Sequence, residues 1–525
     1  MLVPRSAAVA VIALLQFASA APVAPNSTAT QPPVSETTCN SNVYTYQELA
    51  GYGFLANDAR DKFGDTIGGF GSAIALDKHS WSKKSKKGKV DIYEGILYGL
   101  PDRGWNTLGT VNTQTRIHKF GITLQLVPNA TVGSPSGPNV QIKYLDTLLL
   151  TGPDGTPCTG LDPDAVGHAS FKGFPDLPIA TYTGDGFGGA GKGGKRIPID
   201  GEGLVLGDDG SFWVSDEYGP YVYHFDGSGR MVEAIRPPNA FIPIRNGSES
   251  FSANSPPLYD LTRTVTPGDP TTGRQNNQGF EGLTISPDGN TMFVLIQSAL
   301  EQEGGQKGKT RRNARLVRYD LHEHRDPEYA AEYVVPLPFY NAGAKVAAQS
   351  DIHYISSTQL LVLARDSGGG HGQSNSASVY RHADVIDISS ATNVKSPADD
   401  SFNGSIATTA GVLNTDVVPA TYCPFLDYNI NAQLNRFGVH NGGAQDSTLL
   451  NEKWESLALL PVSGDSDDGK HDQEYFLFSF SDNDFITQNG FINFGQLPYK
   501  DASGFNLDNQ ALVFKIKLPK GVNPL

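Results

Sequence analysis

The sequence predicts an all-β protein folded as a single β-propeller, with six blades and long loops between the strands. Three observations lead to this prediction. Stretches with the 3.6-residue period of an amphipathic helix are scarce. The 525 residues include 58 glycines and 34 prolines, which separate many short apolar runs. One hairpin-like unit also recurs along a chain that is too long for one β-sandwich, whereas a propeller grows by adding such units.

The recurring unit consists of a polar start, an apolar strand, a turn, a second apolar strand and a polar end. The visible copies lie at residues 69–103, 200–217, 279–297, 350–366 and 453–483. We expect a sixth blade either in the less regular stretch 403–441 or from segments shared by the two termini. In an antiparallel hairpin, the start of one strand and the end of the next lie at the same edge. The polar ends of all units should therefore meet at one rim around a central channel.

The N-terminal residues predict export. Arg5 precedes an apolar run over residues 7–17, and the small residues at 18–20 fit a signal-peptidase site. We therefore expect a signal peptide at 1–20, a flexible Pro/Ser/Thr-rich lead-in at 21–38 and the propeller domain at 39–525. No later segment is long and apolar enough for a membrane helix. The sequence therefore predicts a secreted, extracellular protein without a membrane partner.

Two further features agree with export. Four N-x-Ser/Thr sequons predict glycosylation in a eukaryotic host, at Asn26, Asn129, Asn246 and Asn403. The cysteines are Cys39, Cys158 and Cys423. An oxidising compartment favours one disulfide and leaves one thiol over, and the sequence does not choose the pair.

The charge balance narrows the classes of partner. Lys and Arg number 40 and Asp and Glu number 55, which gives a formal net charge of −15. A nucleic-acid surface needs clustered basic residues for phosphate contacts, so we expect no nucleic-acid partner. An acidic surface favours solubility and attracts cations. We expect a monomer that acts on a small molecule.

The predicted rim is rich in carboxylates, and these residues form the candidate metal site. Carboxylates that converge on one channel repel each other and lose hydration, so they need protons or a cation. Carboxylate and amide oxygens are the ligands that Ca²⁺ prefers, and Ca²⁺ is therefore the expected cofactor. The candidate ligands are Asp102, Glu202, Asp216, Glu217, Glu281, Asp351, Glu455, Asp482 and Asn483.

Four other rim residues are candidates for a catalytic role. Arg103 and Arg365 have the guanidinium groups that bind a phosphate through two parallel hydrogen bonds. His353 is the best-placed general acid or base, and Asp366 ends the second strand of the same unit. Recurrent acidic residues at strand ends also cap turns and bond to backbone N–H groups of neighbouring blades. For any single rim residue, this structural role is at least as good an interpretation.

The same residues carry a resemblance to a known family. Asp200-Gly-Glu-Gly-Leu, the stretch 213–220 and the stretch 279–289 resemble the phytase-like family, also called "esterase-like activity of phytase". The segments 100–104, 361–366 and 481–483 fit the same pattern. The likeness covers about residues 51–517, and it implies hydrolysis of phosphoesters or related esters.

Three functions remain open on the sequence. The first is a secreted hydrolase of phosphoesters or related esters that uses a cation held at the channel. The second is a non-catalytic propeller that holds a structural Ca²⁺ and binds a partner through its loops. The third is a lactonase-like propeller enzyme, which shares the metal and differs in substrate.

Overall fold

The computed structural model describes residues 32–84, 89–322, 325–464 and 473–525. The predicted signal peptide and the sequon at Asn26 lie outside the described residues. The other three sequon asparagines are exposed, as a glycosylation acceptor must be, and their glycosylation stays a prediction. No helix in the described part of the chain has the length and apolar character needed to cross a bilayer.

The fold begins with a hairpin and two four-stranded blades. The hairpin consists of β1 (Ser35–Cys39) and β2 (Asn42–Leu55). Blade 1 consists of β3 (Ala73–Lys83), β4 (Ile92–Leu100), β5 (Arg116–Gln125) and β6 (Val140–Leu149). Blade 2 consists of β7 (Gly201–Leu206), β8 (Phe212–Asp216), β9 (Val222–Phe225) and β10 (Met231–Ile235). Strand β1 thus starts inside the segment predicted to be a flexible lead-in.

Three more blades follow. Blade 3 consists of β11 (Phe280–Ile285), β12 (Thr291–Ile296), β13 (Asn313–His322) and β14 (Arg325–Pro336). Blade 4 consists of β15 (Ala348–Tyr354), β16 (Gln359–Arg365), β17 (Arg381–Asp387) and β18 (Thr421–Asp427). Blade 5 is built from both ends of the chain, because β2 pairs with β21 (Asn509–Lys517) outside β19 (Trp454–Pro461) and β20 (Glu474–Ser481).

The remaining described elements are short. Two-residue and three-residue strands pair as 168–169 with 177–178, 180–182 with 194–196, 244–245 with 248–249, 339–340 with 345–346 and 490–492 with 497–499. The described helical residues form one α-helix, Asn431–Leu434, and 3-10 turns at Asn239–Phe241, Glu301–Glu303 and Asn435–Phe437. The prediction of an all-β protein is therefore confirmed.

The first strands of the blades form a closed ring. Strands β3, β7, β11, β15 and β19 contact one another in this order, and β19 contacts β3 again. The prediction of a β-propeller is confirmed, but six blades are not. Among the described residues, the stretch 403–441 supplies β18 and the short helix rather than another blade. The termini add β2 and β21 to blade 5, whose first two strands come from the repeat copy at 453–483.

The hydrophobic core lies between neighbouring blades. One cluster joins Trp213 of blade 2, Leu283 and Val294 of blade 3, and Ile352 and Val362 of blade 4. Because the blades pack against one another on both faces, a middle strand can hold a continuous apolar run, as the buried residues 360–364 of β16 do. The first strands thereby become fixed walls of the channel.

The N-terminal hairpin completes blade 5 through β2, and one disulfide joins the same hairpin to blade 4. Cys39 at the end of β1 is bonded to Cys423 in β18, with a Cα–Cα distance of 5.8 Å. Cys158 is a buried free thiol. The expectation of one disulfide and one remaining thiol is therefore confirmed, and the pair that the sequence left open is settled.

Candidate functional site

The channel has two chemically different ends. At the rim, the first strands begin and the second strands end, and the predicted acidic residues gather there. At the opposite end, called the turn end, lie the hairpin turns 207–210 and 286–289. Gly210 and Gly289 adopt positive φ values of 82° and 73° in these turns, which glycine tolerates without strain.

In several blades, a β-bulge at the start of the first strand directs a side chain toward the rim. The pairing register shifts by one residue around Glu202 in β7, Glu281 in β11 and Glu455 in β19. A bulge leaves one residue without a partner opposite it and turns its side chain relative to the regular alternation. The glutamates of three blades are therefore presented to the channel by the same local device.

Blade 4 has the same bulge but a different residue in it. The register shift falls between Gln349 and Asp351, so Ser350 occupies the bulge position. A one-residue offset in a strand turns a side chain to the other face. Asp351 accordingly accepts hydrogen bonds from the backbone N–H groups of Ile352 (2.8 Å) and Leu457 (2.7 Å). Asp351 therefore ties blade 4 to the backbone of blade 5 instead of pointing a free carboxylate into the channel.

The rim contains a compact group of carboxylates. Oxygen atoms of Asp200, Glu202 and Glu217 all lie within 4.8 Å of one another. Ser72 Oγ donates a hydrogen bond to Glu202 Oε2 at 2.7 Å. Arg103 donates its backbone N–H to Asp200 Oδ1 at 3.0 Å, and its Nη1 lies 3.4 Å from Asp200 Oδ2. We call Asp200, Glu202 and Glu217 the carboxylate triad.

Several buried oxygens of this group accept no hydrogen bond. They are both carboxylate oxygens of Glu217, Oδ2 of Asp200 and Oε2 of the neighbouring Glu281. Glu217 is only 1% exposed, so bulk water does not supply the missing donors. An unpaired buried carboxylate oxygen carries a large desolvation cost. The triad with Glu281 therefore suits a hard cation, which such oxygens bind directly, and this group of residues could hold a metal ion.

The pKa values of these carboxyl groups reflect the same excess of negative charge. Burial raises the pKa of Glu202 and Glu281 well above the usual range, and neighbouring carboxylates raise both further. Burial, followed by the charge of Asp200, raises the pKa of Glu217 to about 8. Each of these groups would lose its proton more readily beside a bound cation.

A second acidic group contains its own cation. Oxygens of Asp102, Asp482 and Asp484 also lie within 4.8 Å of one another. Lys453 Nζ pairs with Asp482, lies 2.9 Å from Asp484 Oδ1 and lies 3.5 Å from Glu455 Oε2. Burial alone would lower the pKa of Lys453, but the surrounding carboxylates raise it well above its usual value. An ammonium group thus already supplies the positive charge here.

Other predicted rim residues are occupied by structural bonds. Asp216 accepts hydrogen bonds from the backbone N–H groups of residues 200, 218 and 219 and from a tyrosine hydroxyl. Asn483 accepts from the backbone N–H groups of residues 69 and 485. Asp366 accepts from Ser378 Oγ (2.5 Å) and from the backbone N–H of residue 379 (2.7 Å). These three side chains tie loops to blade ends.

The remaining catalytic candidates lie in different surroundings. Arg365 forms an ion pair with Glu455, and its Nη1 lies 3.8 Å from Glu452 Oε1. Beside it, Gln297 donates a hydrogen bond to Glu281. His353 lies toward the turn end, where its Nδ1 is 3.0 Å from the carbonyl oxygen of Tyr354. Burial lowers the pKa of His353. The structure thus brings both arginines to the rim and places His353 away from the carboxylates.

Sequence reasoning did not select three residues that matter at the rim. Asp200 precedes the Gly-Glu-Gly motif, Lys453 is the first residue of the last copy of the repeat, and Asp484 follows that copy. All three lie within one or two residues of selected positions. The available signal was therefore proximity to the repeat, since the loops that flank each strand bring such neighbours to the same rim.

Comparisons with known proteins agree with these features. The family model described as "Phytase-like: Esterase-like activity of phytase" matches residues 89–485. A protein of Arthroderma benhamiae described as a secreted protein is 55% identical over 484 residues, which cover 90% of this chain and 93% of that protein. The disulfide and this relative agree with the predicted export, and the chain is a secreted protein.

Solved structures are similar only at a distance. A gluconolactonase of Xanthomonas campestris is 9% identical and covers 85% of this chain and 96% of its own, with a TM-score of 0.22. A virginiamycin B lyase of Staphylococcus aureus is 10% identical and covers 80% of this chain and 99% of its own, with a TM-score of 0.21. The propeller assignment accordingly rests on the ring of blades. The family match spans most of the chain, and this protein belongs to the phytase-like family.

Proposed function

We propose that the protein is a secreted, Ca²⁺-dependent hydrolase of phosphoesters or related esters, acting as a monomer on small molecules at the rim. Membership of the phytase-like family supports a hydrolase-type propeller. The observation that carries the proposal is the set of buried carboxylate oxygens without hydrogen bonds at the triad and Glu281. Calcium takes six to eight such oxygen ligands, whereas zinc prefers nitrogen and sulfur.

Asp200, Glu202 and Glu217 would hold the cation, with Glu281 at their edge. When bound, Ca²⁺ supplies a positive charge that polarises a phosphoryl or carbonyl oxygen. The group of Asp102, Asp482 and Asp484 is a poorer site, because the Lys453 ammonium lies among its oxygens. The proposal therefore assigns the two acidic groups different roles, one as a metal site and one as an internal ion pair.

Arg103 and Glu281 are the groups best placed to act on the substrate. The Nε atom of Arg103 donates no hydrogen bond and is available to a phosphate or carboxyl oxygen, while its Nη1 lies 3.4 Å from Asp200 Oδ2. Oε2 of Glu281 is also without a hydrogen bond and can hold or accept a proton beside the reacting group. We propose Glu281 for this proton transfer in place of His353, which lies toward the turn end.

The test is hydrolysis of phosphomonoester, phosphodiester, carboxyl-ester and lactone substrates by the purified mature protein. Each reaction is run after chelation with EGTA and after adding Ca²⁺ back. We expect Ca²⁺-restored turnover that falls by about 100-fold or more in Glu217→Gln and Glu202→Gln, since even residues that only support ligands cost about 10–100-fold. Glu94→Gln, an exposed glutamate on β4, is the matched control and should keep full activity.

The burial of the triad also favours a second function, a non-catalytic propeller with a structural ion. In that case Ca²⁺ raises the melting temperature and no substrate is hydrolysed. Turnover of lactones alone would instead support a lactonase-like enzyme. Activity that persists unchanged in EGTA, or equal activity in the Glu217→Gln and Glu94→Gln proteins, would overturn the proposed metal site.

A further inference from the structure

A cavity of about 740 Å³ opens at the turn end of the channel, opposite the carboxylates. All five blades contribute to its wall through their first strands. Cavities of roughly 300–1,000 Å³ are typical of small-molecule sites. Nothing in the proposed hydrolysis at the rim uses this space.

An apolar collar separates the cavity from the rim. Each first strand contributes at least one buried aliphatic side chain to the cavity wall, and the collar consists of Ile74, Leu204, Leu283, Ile352 and Leu457. In three blades the collar residue stands two positions after the bulged glutamate, as in Glu202-Gly203-Leu204. The same local geometry thus sends a carboxylate to one side and an aliphatic group to the other.

The wall beyond the collar offers an aromatic surface. Trp213 lines the cavity and is stacked on His224, with ring centroids 4.0 Å apart and an interplanar angle of 4°. Leu206 and Ile285 add partly exposed aliphatic surface beside it. A ligand with a planar apolar body would contact both kinds of surface and remove them from water.

The mouth of the cavity selects against negative charge. Asp208, Asp209 and Asp288 are exposed there, and Asp77 lines the same opening. Lys78 also lies at the mouth, but its Nζ is 4.0 Å from Asp208 Oδ1, so Asp208 compensates its charge. The excess of carboxylates would repel an anion that approaches the opening.

We propose that the turn-end cavity is a binding site for a small, uncharged or cationic aromatic molecule, separate from the rim. The partly exposed Leu206 and Ile285 supply apolar contact area, the collar and Trp213 form the wall behind them, and the acidic mouth sets the charge preference. Because the collar lies between the two sites, binding here does not require Ca²⁺ or an intact carboxylate triad.

The test uses the neutral probe N-phenyl-1-naphthylamine, whose fluorescence rises in apolar surroundings, with the full mature protein. We expect saturable binding that weakens by more than about tenfold in Leu206→Arg, because a partly exposed apolar wall is replaced by a charge. Leu261→Arg changes an exposed leucine that does not line the cavity and should bind the probe normally. Trp213→Phe should keep the fold and reduce energy transfer from protein to probe.

The controls separate this site from the rim. Probe binding should be the same in Ca²⁺ and in EGTA, and the same in Glu217→Gln, whether or not that variant hydrolyses anything. The anionic probe 8-anilinonaphthalene-1-sulfonate should bind more weakly than the neutral one. No saturable signal, or equal binding by Leu206→Arg and Leu261→Arg, would overturn the site, and tighter binding of the anionic probe would overturn the charge preference.

Discussion

Lys453 divides the rim into two regions that differ in charge compensation. Its ammonium group lies among Asp482, Asp484 and Glu455, which therefore have a permanent counter-ion. Within the described part of the chain, the direct ion pair of the triad is the one from Arg103 Nη1 to Asp200 Oδ2, at 3.4 Å. A metal ion is bound most favourably where the fewest lysine and arginine side chains already compensate the carboxylates. This difference between the two regions, rather than the number of acidic residues, locates the proposed metal site.

Asp162 provides a pH-dependent contribution to stability away from the rim. Burial raises its pKa to about 6, although Ser252 Oγ and the backbone N–H of Ala253 donate hydrogen bonds to it at 2.6 Å. The folded protein therefore keeps a proton that the unfolded chain releases above its ordinary pKa of 3.8. Stability should fall as the pH rises from about 4 to about 6, by on the order of 3 kcal/mol.

Urea unfolding of wild type and Asp162→Asn at several pH values checks this expectation. The amide does not titrate, so the difference in unfolding free energy between the two proteins should change between pH 4 and 6 and be constant above. Asp416→Asn, at an exposed aspartate, is the matched control. A wild-type-minus-variant difference that is flat across this range would show that Asp162 does not titrate as described.

At the scale of residues, the sequence predicts that the rim is acidic, but it does not predict where each individual side chain lies. Glu202 and Glu281 lie at the rim because the spacing of the hairpins is regular. Asp351 has the same spacing, but the bulge of its strand falls one residue earlier. A bulge depends on how two strands pair, and the sequence of one strand does not contain that information. Lys453 was missed because a lone lysine at the first position of a repeat copy carries no motif.

At the scale of elements, close packing of neighbouring first strands explains the glycine after the bulged glutamate. A Cβ atom at Gly282 would lie 2.8 Å from the backbone nitrogen of Ile352 in the next blade. Both groups belong to packed strands, so neither moves without disturbing the ring. A side chain at this position would push blade 3 away from blade 4.

We therefore expect Gly282→Ala to destabilise the protein by about 1–3 kcal/mol, as is usual when a packed interior is overfilled. Gly133→Ala is the matched control, because a Cβ at Gly133 meets nothing within 4 Å. Its effect should stay within about 0.5 kcal/mol. Chemical denaturation of both variants measures the difference, and equal stabilities would mean that the blades separate without cost.

The hairpins themselves were predictable from the sequence, since alternating apolar runs and turn glycines are local signals. The number of blades was not, because the sixth blade was expected either in the stretch 403–441 or from segments shared by the termini, and the termini instead complete blade 5. Part of that stretch forms β18, the outer strand of blade 4. Outer strands are partly exposed and vary in pattern, so they resemble loops in the sequence.

At the scale of the whole molecule, the N-terminal hairpin connects two blades. Strand β2 completes blade 5, while Cys39 at the end of β1 is bonded to Cys423 of blade 4, 384 residues away in sequence. A cross-link over so long a segment restricts the unfolded chain strongly. Strand pairing thus fixes the hairpin to blade 5, and the disulfide fixes it to the adjacent blade 4.

We expect Cys39→Ser/Cys423→Ser to lose about 2–5 kcal/mol of stability, the usual cost of removing a native disulfide. Thermal unfolding with and without dithiothreitol provides the measurement. Reductant should lower the melting temperature of wild type and leave that of the double variant unchanged. Cys158→Ala should keep the response to reductant, and a wild type indifferent to reductant would contradict a stabilising role for the bond.

The pairing of β2 with β21 also has a consequence for biosynthesis. Blades 1–4 each form from a continuous stretch of chain, but β2 waits for a strand that is made some 450 residues later. At about 5–20 residues per second, the wait lasts roughly half a minute to a minute and a half. During that time the edge of β2 that β21 later covers is open to other nascent chains. Secretion yield, more than catalytic rate, should therefore be the property most sensitive to changes in β2.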